Sequence, residues 1–331
     1  MPVSRPVFAA LLFVPLAAVP AAQAADKPEQ LVIVSFDGAH DNRLWERSLS
    51  LGEKTGARFT YFLSCTFLMS KADAKSYKAP GKPAGRSNVG FAPDHADVAA
   101  RLGHIWRANG AGHEIANHAC GHFDGKDWTK SDWLGEFDRF DTALAEAWSV
   151  AGVAEHEPPG WRDFAATAKG FRAPYLSTGK GLQAALAARG FAYGASAVSK
   201  GPVTPDLSGK VASFALPMIP EGPAGKRVIA MDYNLFARHS KAVETPEGKD
   251  EFSARTLAAF RAAFEKEYAG ERVPLQLGFH FVEMNGGAYW DALETFLTET
   301  CGKPGVACVS HIEALERLRA ADGAARALQS L

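Results

Sequence analysis

Two histidines, His118 and His122, stand four residues apart in the segment AGHEIANHACGH, residues 111–122. In a helical turn this spacing places both rings on one face, where they can chelate a single divalent ion. The pair directly follows a predicted strand, so we interpret it as a metal site, with exposed or capping histidines as the alternative. His113, which precedes that strand, is interpreted as structural.

A carboxylate, an arginine and a further histidine stand at the ends of other predicted strands. Asp37 ends the apolar run LVIVSF just before Gly38, and Arg172 opens the segment RAPYLS. A buried arginine needs a carboxylate partner, so we expect Arg172 to pair with Asp37; an ordinary structural ion pair is the alternative. His280 lies near the end of LQLGFHF, where a core histidine is the alternative interpretation.

In chain order, these segments resemble the polysaccharide deacetylase (NodB-homology) family of carbohydrate esterases, as a divergent member. SFDG resembles the first family motif, usually Thr-Phe-Asp-Asp-Gly, and HACGH resembles the second, His-Ser/Thr-x-x-His. RAPY matches the third motif, Arg-x-Pro-Tyr or Phe, and FHF fits the last, an apolar strand that delivers a histidine. The resemblance extends from about residue 31 to residue 310.

The resemblance implies a fold and a metal. The fold is a distorted (β/α) barrel of the NodB-homology type, with a divalent ion at the carboxyl ends of the strands. In the family, two histidines and an aspartate bind this ion. Carried over to this chain, the metal ligands are His118, His122 and, as the remaining carboxylate, Asp37, and zinc is the favoured ion.

The resemblance also implies catalytic roles for four residues. Asp37 is the general base and Arg172 holds it. Tyr175 supplies its backbone N–H to the oxyanion hole, and His280 protonates the leaving amine. Amide hydrolysis needs these functions in addition to a metal that lowers the pKa of bound water and polarises the N-acetyl carbonyl.

The first motif departs from the family pattern. Gly38 stands where the family usually has its metal-binding aspartate, so Asp37 is either the base or the metal ligand. Asp41 or His40, just beyond, could restore a ligand. Asp41 precedes a predicted helix, however, which is typical of an N-cap.

The fourth motif departs as well. Gly194, in FAYGASAVS, occupies the place where the family usually has an aspartate that orients the catalytic histidine. Asp232, in the strand-like segment VIAMDYN, could supply this carboxylate from another strand. A structural turn or a substrate contact is the alternative role.

The elements that must position these residues alternate along the chain. We expect strands at 31–36, 58–63, 114–117, 170–173, 191–193, 211–216, 228–232, 275–281 and 306–310. We expect helices at 43–55, 97–109, 133–150, 180–189, 249–268, 289–300 and 312–321. Several strands are continuous apolar runs, as in a sheet buried on both faces. The pattern predicts an α/β fold, either a (β/α) barrel or an open doubly wound sheet, with long loops at 72–93, 153–169 and 199–225.

The charge and the apolar segments of the chain argue against nucleic acid and membrane insertion and indicate export. The 331 residues carry a formal net charge of −1, which gives no electrostatic footprint for nucleic acid. We expect no stable membrane insertion, since no stretch after residue 25 is long and apolar enough. Residues 1–24 have a basic start, an apolar run and a small-x-small end, which is typical of a secretory signal peptide; a membrane anchor is the alternative. We expect export, to the periplasm or the medium, and one catalytic domain over 25–331.

Export gives the four cysteines an oxidising environment. Cys301 and Cys308 flank a Pro-Gly turn, which favours a local disulfide. Cys65 and Cys120 then pair by default, although four cysteines allow three connectivities. Free buried thiols are the alternative.

The sequence therefore predicts an exported, metal-dependent deacetylase that acts on a polysaccharide such as peptidoglycan or a chitin-like glycan. A non-catalytic glycan-binding protein on the same scaffold and a hydrolase of a non-sugar C–N bond are the alternatives. Aromatic residues that could stack on sugar rings, some of them expected in the core, are Trp128, Trp133, Trp161, Tyr175, Tyr289 and Trp290.

Overall fold

The sheet is built from nine strands within the residues that the computed structural model describes, which are residue 1 and residues 27–329. The strands are β1 Gln30–Gly38, β2 Thr60–Leu63, β3 Glu114–Asn117, β4 Gly170–Phe171, β5 Tyr193–Ser199, β6 Ala212–Glu221, β7 Lys226–Ile229, β8 Leu275–His280 and β9 Val306–Val309. Their order is β7-β6-β5-β4-β3-β2-β1-β8, and β9 pairs with the amino-terminal half of β1. All pairs are parallel except β6–β7.

Ten α-helices pack around this sheet within the same described residues. They are α1 Asn42–Thr55, α2 His95–Gly110, α3 Lys130–Ala145, α4 Ala147–Val150, α5 Trp161–Ala165, α6 Lys180–Arg189, α7 Asp232–Ser240, α8 Lys249–Ala269, α9 Met284–Thr300 and α10 His311–Gln329. Across residues 27–329, no helix combines the length and the apolar character that a bilayer crossing requires. The predicted signal peptide lies, apart from Met1, outside the described residues and stays a prediction.

The sheet curls until its two ends meet. Met231, just after β7, forms a parallel bridge with Gly278 of β8. There the backbone N–H of Gly278 donates to the carbonyl of Ala230 at 2.9 Å. Since β8 also pairs with β1 along six residues, this bridge closes a distorted (β/α) barrel. The predicted barrel is therefore confirmed over the open doubly wound sheet.

Each of the nine predicted strands has a counterpart, but the helices differ from the prediction at three places. Helix α5 lies within the predicted loop 153–169, and α7 begins at Asp232, the last residue of the predicted strand 228–232. Strand β7 ends at Ile229, and at the start of α7 the side chain of Asp232 accepts the N–H of Tyr233 at 2.7 Å. The predicted helix 133–150 is divided between α3 and α4.

Aromatic side chains fill the core between the barrel and its helices. Phe36 of β1 is fully buried, and its ring lies 4.9 Å from Trp290 and 5.6 Å from Tyr61, measured between centroids. Burying one such side chain contributes roughly 1.5–3 kcal/mol. Some of the six aromatics considered for sugar stacking were expected in the core, and four of them lie there: Trp133, Trp161, Tyr289 and Trp290.

Both predicted disulfides are confirmed. Cys301 and Cys308 join the end of α9 to β9, and Cys65 and Cys120 join the segment after β2 to the segment after β3. The second bridge holds the loop that carries the two predicted metal-binding histidines, because Cys120 lies between them in sequence.

Candidate active site

Carboxyl ends of the barrel strands open into a cavity of about 410 Å³. Its lining includes the predicted site residues Asp37, His118, His122, Tyr175 and His280. They come from segments far apart in sequence, because parallel strands deliver their carboxyl ends to the same edge of a sheet. Arg172 lies beneath this cavity, with no exposed surface.

The two histidines of the second motif lie on a loop, so the predicted helical turn is wrong. Residues 118–125 have no helical structure, and Ala119 (φ 57°) and His122 (φ 52°) adopt left-handed backbone conformations. These turns still bring the rings of His118 and His122 together, with 5.1 Å between their centroids. The four-residue spacing therefore predicts correctly that the two rings are neighbours, although a loop and not a helical turn brings them together.

Both imidazoles are suited to binding a metal. His118 Nδ1 lies 2.8 Å from the carbonyl oxygen of Arg172, so Nδ1 donates its proton and Nε2 keeps a lone pair. Burial lowers the pKa of His118, and burial with the neighbouring His118 lowers that of His122 to about 3. Neutral imidazole is the form that binds metal, so the donor chemistry fits a divalent ion.

The third ligand is not preformed. Across residues 27–329, no three His, Cys, Asp or Glu side chains are grouped closely enough to hold an ion. The carboxylate in the same cavity is that of Asp37, and it already accepts a hydrogen bond from a cation. The structure thus supplies two neutral imidazoles and one carboxylate at the cavity wall.

Asp37 pairs with Arg172, as predicted. Arg172 Nη1 donates to Asp37 Oδ1 at 2.8 Å and to Ser35 Oγ at 2.7 Å, and Nε donates to the carbonyl of Ala195 at 2.9 Å. Phe62 lies under the guanidinium, 4.3 Å from its ring centroid. Burial opposes ionisation of Asp37, but the charge and hydrogen bond of Arg172, together with His118 and His280, outweigh it and hold the pKa of Asp37 below its ordinary value of 3.8.

His280 pairs with Asp232, which supplies the carboxylate that Gly194 lacks. The distance from His280 Nδ1 to Asp232 Oδ1 is 2.6 Å, and Asp232 Oδ2 accepts the backbone N–H of His280 at 2.7 Å. Burial disfavours the imidazolium, but the charge and hydrogen bond of Asp232 prevail and raise the pKa of His280 to about 9. At neutral pH this histidine is therefore protonated.

Tyr175 occupies strained backbone. Tyr175 (φ 58°) and Leu176 (φ 54°) are consecutive left-handed residues that are not glycine, a conformation that tends to persist at functional sites. Within the described residues, no hydrogen bond uses the backbone N–H of Tyr175. Its ring is 60% exposed and lies 4.6 Å from the ring of His122.

Residues considered as replacements for the missing ligand serve other purposes. Asp41 caps α1, accepting the N–H of Arg43 at 2.8 Å, so the capping prediction is confirmed. The ring of His40 packs 5.0 Å from that of Phe67. Gly38 has φ 87°, which disfavours an aspartate there.

The structural prediction for His113 is confirmed. Its Nδ1 accepts the backbone N–H of Phe59 at 2.9 Å, away from the cavity.

Tyr233 was missed by the sequence interpretation. It lines the cavity at the start of α7, is 52% exposed, and its ring lies 6.4 Å from that of His280. A lone tyrosine after a predicted strand carries no signal for such a role.

No family sequence profile and no curated protein sequence matches this chain. Among solved structures, it is similar to a Mycobacterium smegmatis protein classed with the polysaccharide deacetylases, with 18% identity over 93% of this chain and 96% of that chain, and a TM-score of 0.55. The CE4 domain of a multidomain xylanase from the hindgut metagenome of Trinervitermes trinervoides shares 13% identity over 87% and 91%, with a TM-score of 0.47. A CE4-family pseudoenzyme from Bacillus anthracis shares 12% over 87% and 66%, with a TM-score of 0.44.

Proposed function

The chain has the fold of the polysaccharide deacetylases, and we propose that it is an exported, metal-dependent hydrolase that removes N-acetyl groups from a polysaccharide, such as peptidoglycan or a chitin-like glycan. One observation carries the proposal: Asp37 and His280 line one cavity with opposed pKa shifts. Paired groups whose environments separate their pKa values in this way mark a base and an acid.

We assign the base to Asp37. The buried guanidinium of Arg172 keeps this carboxylate ionised and occupies Oδ1. Within the described residues, Oδ2 has no hydrogen-bond partner, so it is the atom free to accept a proton from water. A positioned base typically contributes roughly 10²–10⁴-fold in rate.

His118 and His122 would hold the divalent ion, and ligation by Asp37 in place of its role as base is the alternative. Imidazole ligands suit zinc, the favoured ion. When bound, such an ion lowers the pKa of water and polarises the acetyl carbonyl. Two imidazoles without a preformed third ligand favour weak, exchangeable binding.

Tyr175 and His280 complete the proposed reaction. The free N–H of Tyr175 donates to the developing oxyanion, and one such donor is worth about 3 kcal/mol in the barrier. His280, protonated through its contact with Asp232, gives its proton to the departing nitrogen. The exposed rings of Tyr175 and Tyr233 offer surfaces on which sugar rings can stack.

Export is part of the proposal, supported by the two disulfides. Such bonds persist in oxidising compartments and are rare in the cytosol. A polysaccharide outside the membrane is then within reach of the site.

Acetate release tests this function. Purified protein incubated with N-acetylglucosamine oligomers or peptidoglycan, with and without added zinc, should release acetate. His118→Ala should abolish release and metal binding by calorimetry, whereas His156→Ala, an exposed histidine outside the cavity, should change neither. Glycan binding without acetate release under any divalent metal would favour the non-catalytic alternative, and release only from non-sugar amides would favour the other.

A further inference from the structure

The loop beside the cavity is strongly cationic. Between residues 71 and 93 the sequence contains five basic side chains and a single acidic one. They are Lys71, Lys75, Lys78, Lys82 and Arg86, against Asp73. Asp73 is already engaged, because it accepts hydrogen bonds from Ser70 and lies 2.7 Å from His95 Nε2. The loop therefore presents an excess of positive charge, whereas the whole chain has a formal net charge of −1.

This loop is fixed to the histidine loop. The backbone N–H of Asn88 donates to the carbonyl of Gly121 at 2.8 Å, and its side-chain Nδ2 donates to the carbonyl of His122 at 3.0 Å. Asn88 Nδ2 also lies 3.3 Å from the hydroxyl of Tyr175. The position of the cationic loop is thus tied to two residues of the candidate active site.

Two of the five cations line a groove. This groove has a volume of about 480 Å³ and is lined by Lys82, Pro83, Arg86, Ser87, Asn88 and Phe123. Lys82 Nζ lies 5.5 Å from the centroid of the Phe123 ring. Neither Lys82 nor Arg86 forms an ion pair with any described residue. Both charges are therefore available to a ligand.

The groove adjoins the active-site cavity. Asn88 lines the groove and contacts His122 and Tyr175, which line the cavity. Arg86 is two residues from Asn88, so their Cα atoms lie within about 7 Å of each other. A chain of sugars with one unit in the cavity would bring a neighbouring unit to the groove.

We propose that this groove, called here the Lys82–Arg86 groove, binds an anionic group on the glycan, so that the preferred substrate is an acidic N-acetylated polysaccharide. Arginine offers a planar fork that pairs with carboxylate in two hydrogen bonds, and lysine adds a point charge. Phe123, 9% exposed beside Lys82, forms the apolar part of the groove wall. Deacetylation of this substrate rests on the proposed function, whereas binding of its anionic group does not.

Calorimetry with a matched pair of ligands tests the proposal. The ligands are a hyaluronan tetrasaccharide, which carries N-acetyl and carboxylate groups, and the same tetrasaccharide with its carboxylates reduced to alcohols. The native chain should bind the acidic form about tenfold more tightly, and this preference should shrink as NaCl is raised. In the double variant Lys82→Gln and Arg86→Gln the preference should disappear.

Lys71→Gln is the matched control, since it removes one charge from the same loop outside the groove and should keep the preference. Equal affinity for the two tetrasaccharides, or an unchanged preference in the double variant, would overturn the proposal that the Lys82–Arg86 groove binds an anionic group. Acetate release from the same samples reports separately on the proposed function. A preference for the acidic form without any acetate release would contradict the proposed hydrolase function and support anion binding by the groove.

Discussion

Asp232 binds His280 through both of its carboxylate oxygens, one at the ring nitrogen Nδ1 (2.6 Å) and one at the backbone N–H (2.7 Å). The carboxylate is fully buried, whereas the imidazole keeps contact with the cavity. The side chain of His280 therefore has one fixed orientation, and its charge depends on a residue from another part of the barrel.

Asp232→Asn should lower the pKa of His280 from about 9 because the opposing charge is lost and burial then prevails. The native pair contributes stability that is complete below pH 6.5 and is lost as the pH rises through 9. Over this range it amounts to about 3 kcal/mol at most. NMR titration of metal-free protein measures the pKa, and urea unfolding at pH 6 and pH 10 measures the stability.

Asp206→Asn is the control for this change, since Asp206 is exposed and its carboxylate accepts hydrogen bonds from Ser208 of the same loop. It should leave the His280 titration unchanged. An Asp232→Asn variant whose His280 still titrates near 9 would show that another group charges the ring.

Arg172→Met should destabilise the fold by about 3–5 kcal/mol, because it leaves the buried carboxylate of Asp37 without its partner. The pKa of Asp37 should rise, since the charge and hydrogen bond of Arg172 that lower it are lost. In the native chain, the stability from this lowered pKa is present above pH 3.8 and is lost as the pH falls through the lowered value. Urea unfolding between pH 3 and pH 7 measures both effects.

A second substitution separates the charge from the packing. Adding Asp37→Asn to Arg172→Met should recover part of the lost stability, and a double variant that unfolds like the single one would contradict the assignment. Arg43→Met is the exposed control: Arg43 pairs with Asp41 at the surface, and its loss should leave the unfolding midpoint unchanged.

The two disulfides should contribute unequally. Cys65 and Cys120 are 55 residues apart, and Cys301 and Cys308 are 7 apart. In the chain-entropy account, the longer loop gives about 4 kcal/mol and the shorter about 2 kcal/mol. Paired Cys→Ala variants, compared by urea unfolding, test the order, and a larger loss on removing Cys301 and Cys308 would contradict it.

Tyr77→Phe should loosen the histidine loop from behind. The hydroxyl of Tyr77 donates to Glu136 Oε1 at 2.7 Å and accepts the N–H of Gly121 at 3.0 Å. Its removal takes away the hydroxyl to which the buried N–H of Gly121 donates, at a cost of about 1–3 kcal/mol, and should speed amide exchange at Gly121.

Tyr268→Phe also removes one hydroxyl hydrogen bond, to the carbonyl of Pro304, but far from this loop. It should leave the exchange of Gly121 at the native rate. Equal protection of Gly121 in Tyr77→Phe and the native chain would show that the loop does not depend on the Tyr77 hydroxyl.

Two residue pairs of the site can be predicted from the sequence, because the chemistry or the spacing of their side chains requires a contact. Arg172 needs a carboxylate when buried, and Asp37 is an acidic residue at the carboxyl end of another strand, so the pair can be predicted. His118 and His122 can be predicted as neighbours from their spacing. The left-handed backbone at Ala119 and His122 could not be, since neither is a glycine that would mark the turn.

Other features depend on tertiary closure, which no local pattern encodes. Asp232 can be named as a candidate, but its place against His280 requires β7 and β8 to meet across the barrel. Tyr233 follows it into the cavity for the same reason. Trp133 and Trp161 resemble rim aromatics in sequence and lie in the core, because helices pack over them.

The bridge between Met231 and Gly278 gives the closure of the barrel a consequence for folding. Asp232 follows Met231 directly, and His280 lies two residues beyond Gly278. Closure of the barrel at this bridge therefore also brings Asp232 to His280 and raises the pKa of the proposed acid. Contacts between segments distant in sequence form late, because loop closure must precede them. In a folding intermediate in which this bridge has not formed, we expect His280 to have the ordinary pKa of a histidine. Such an intermediate would lack the proposed general acid.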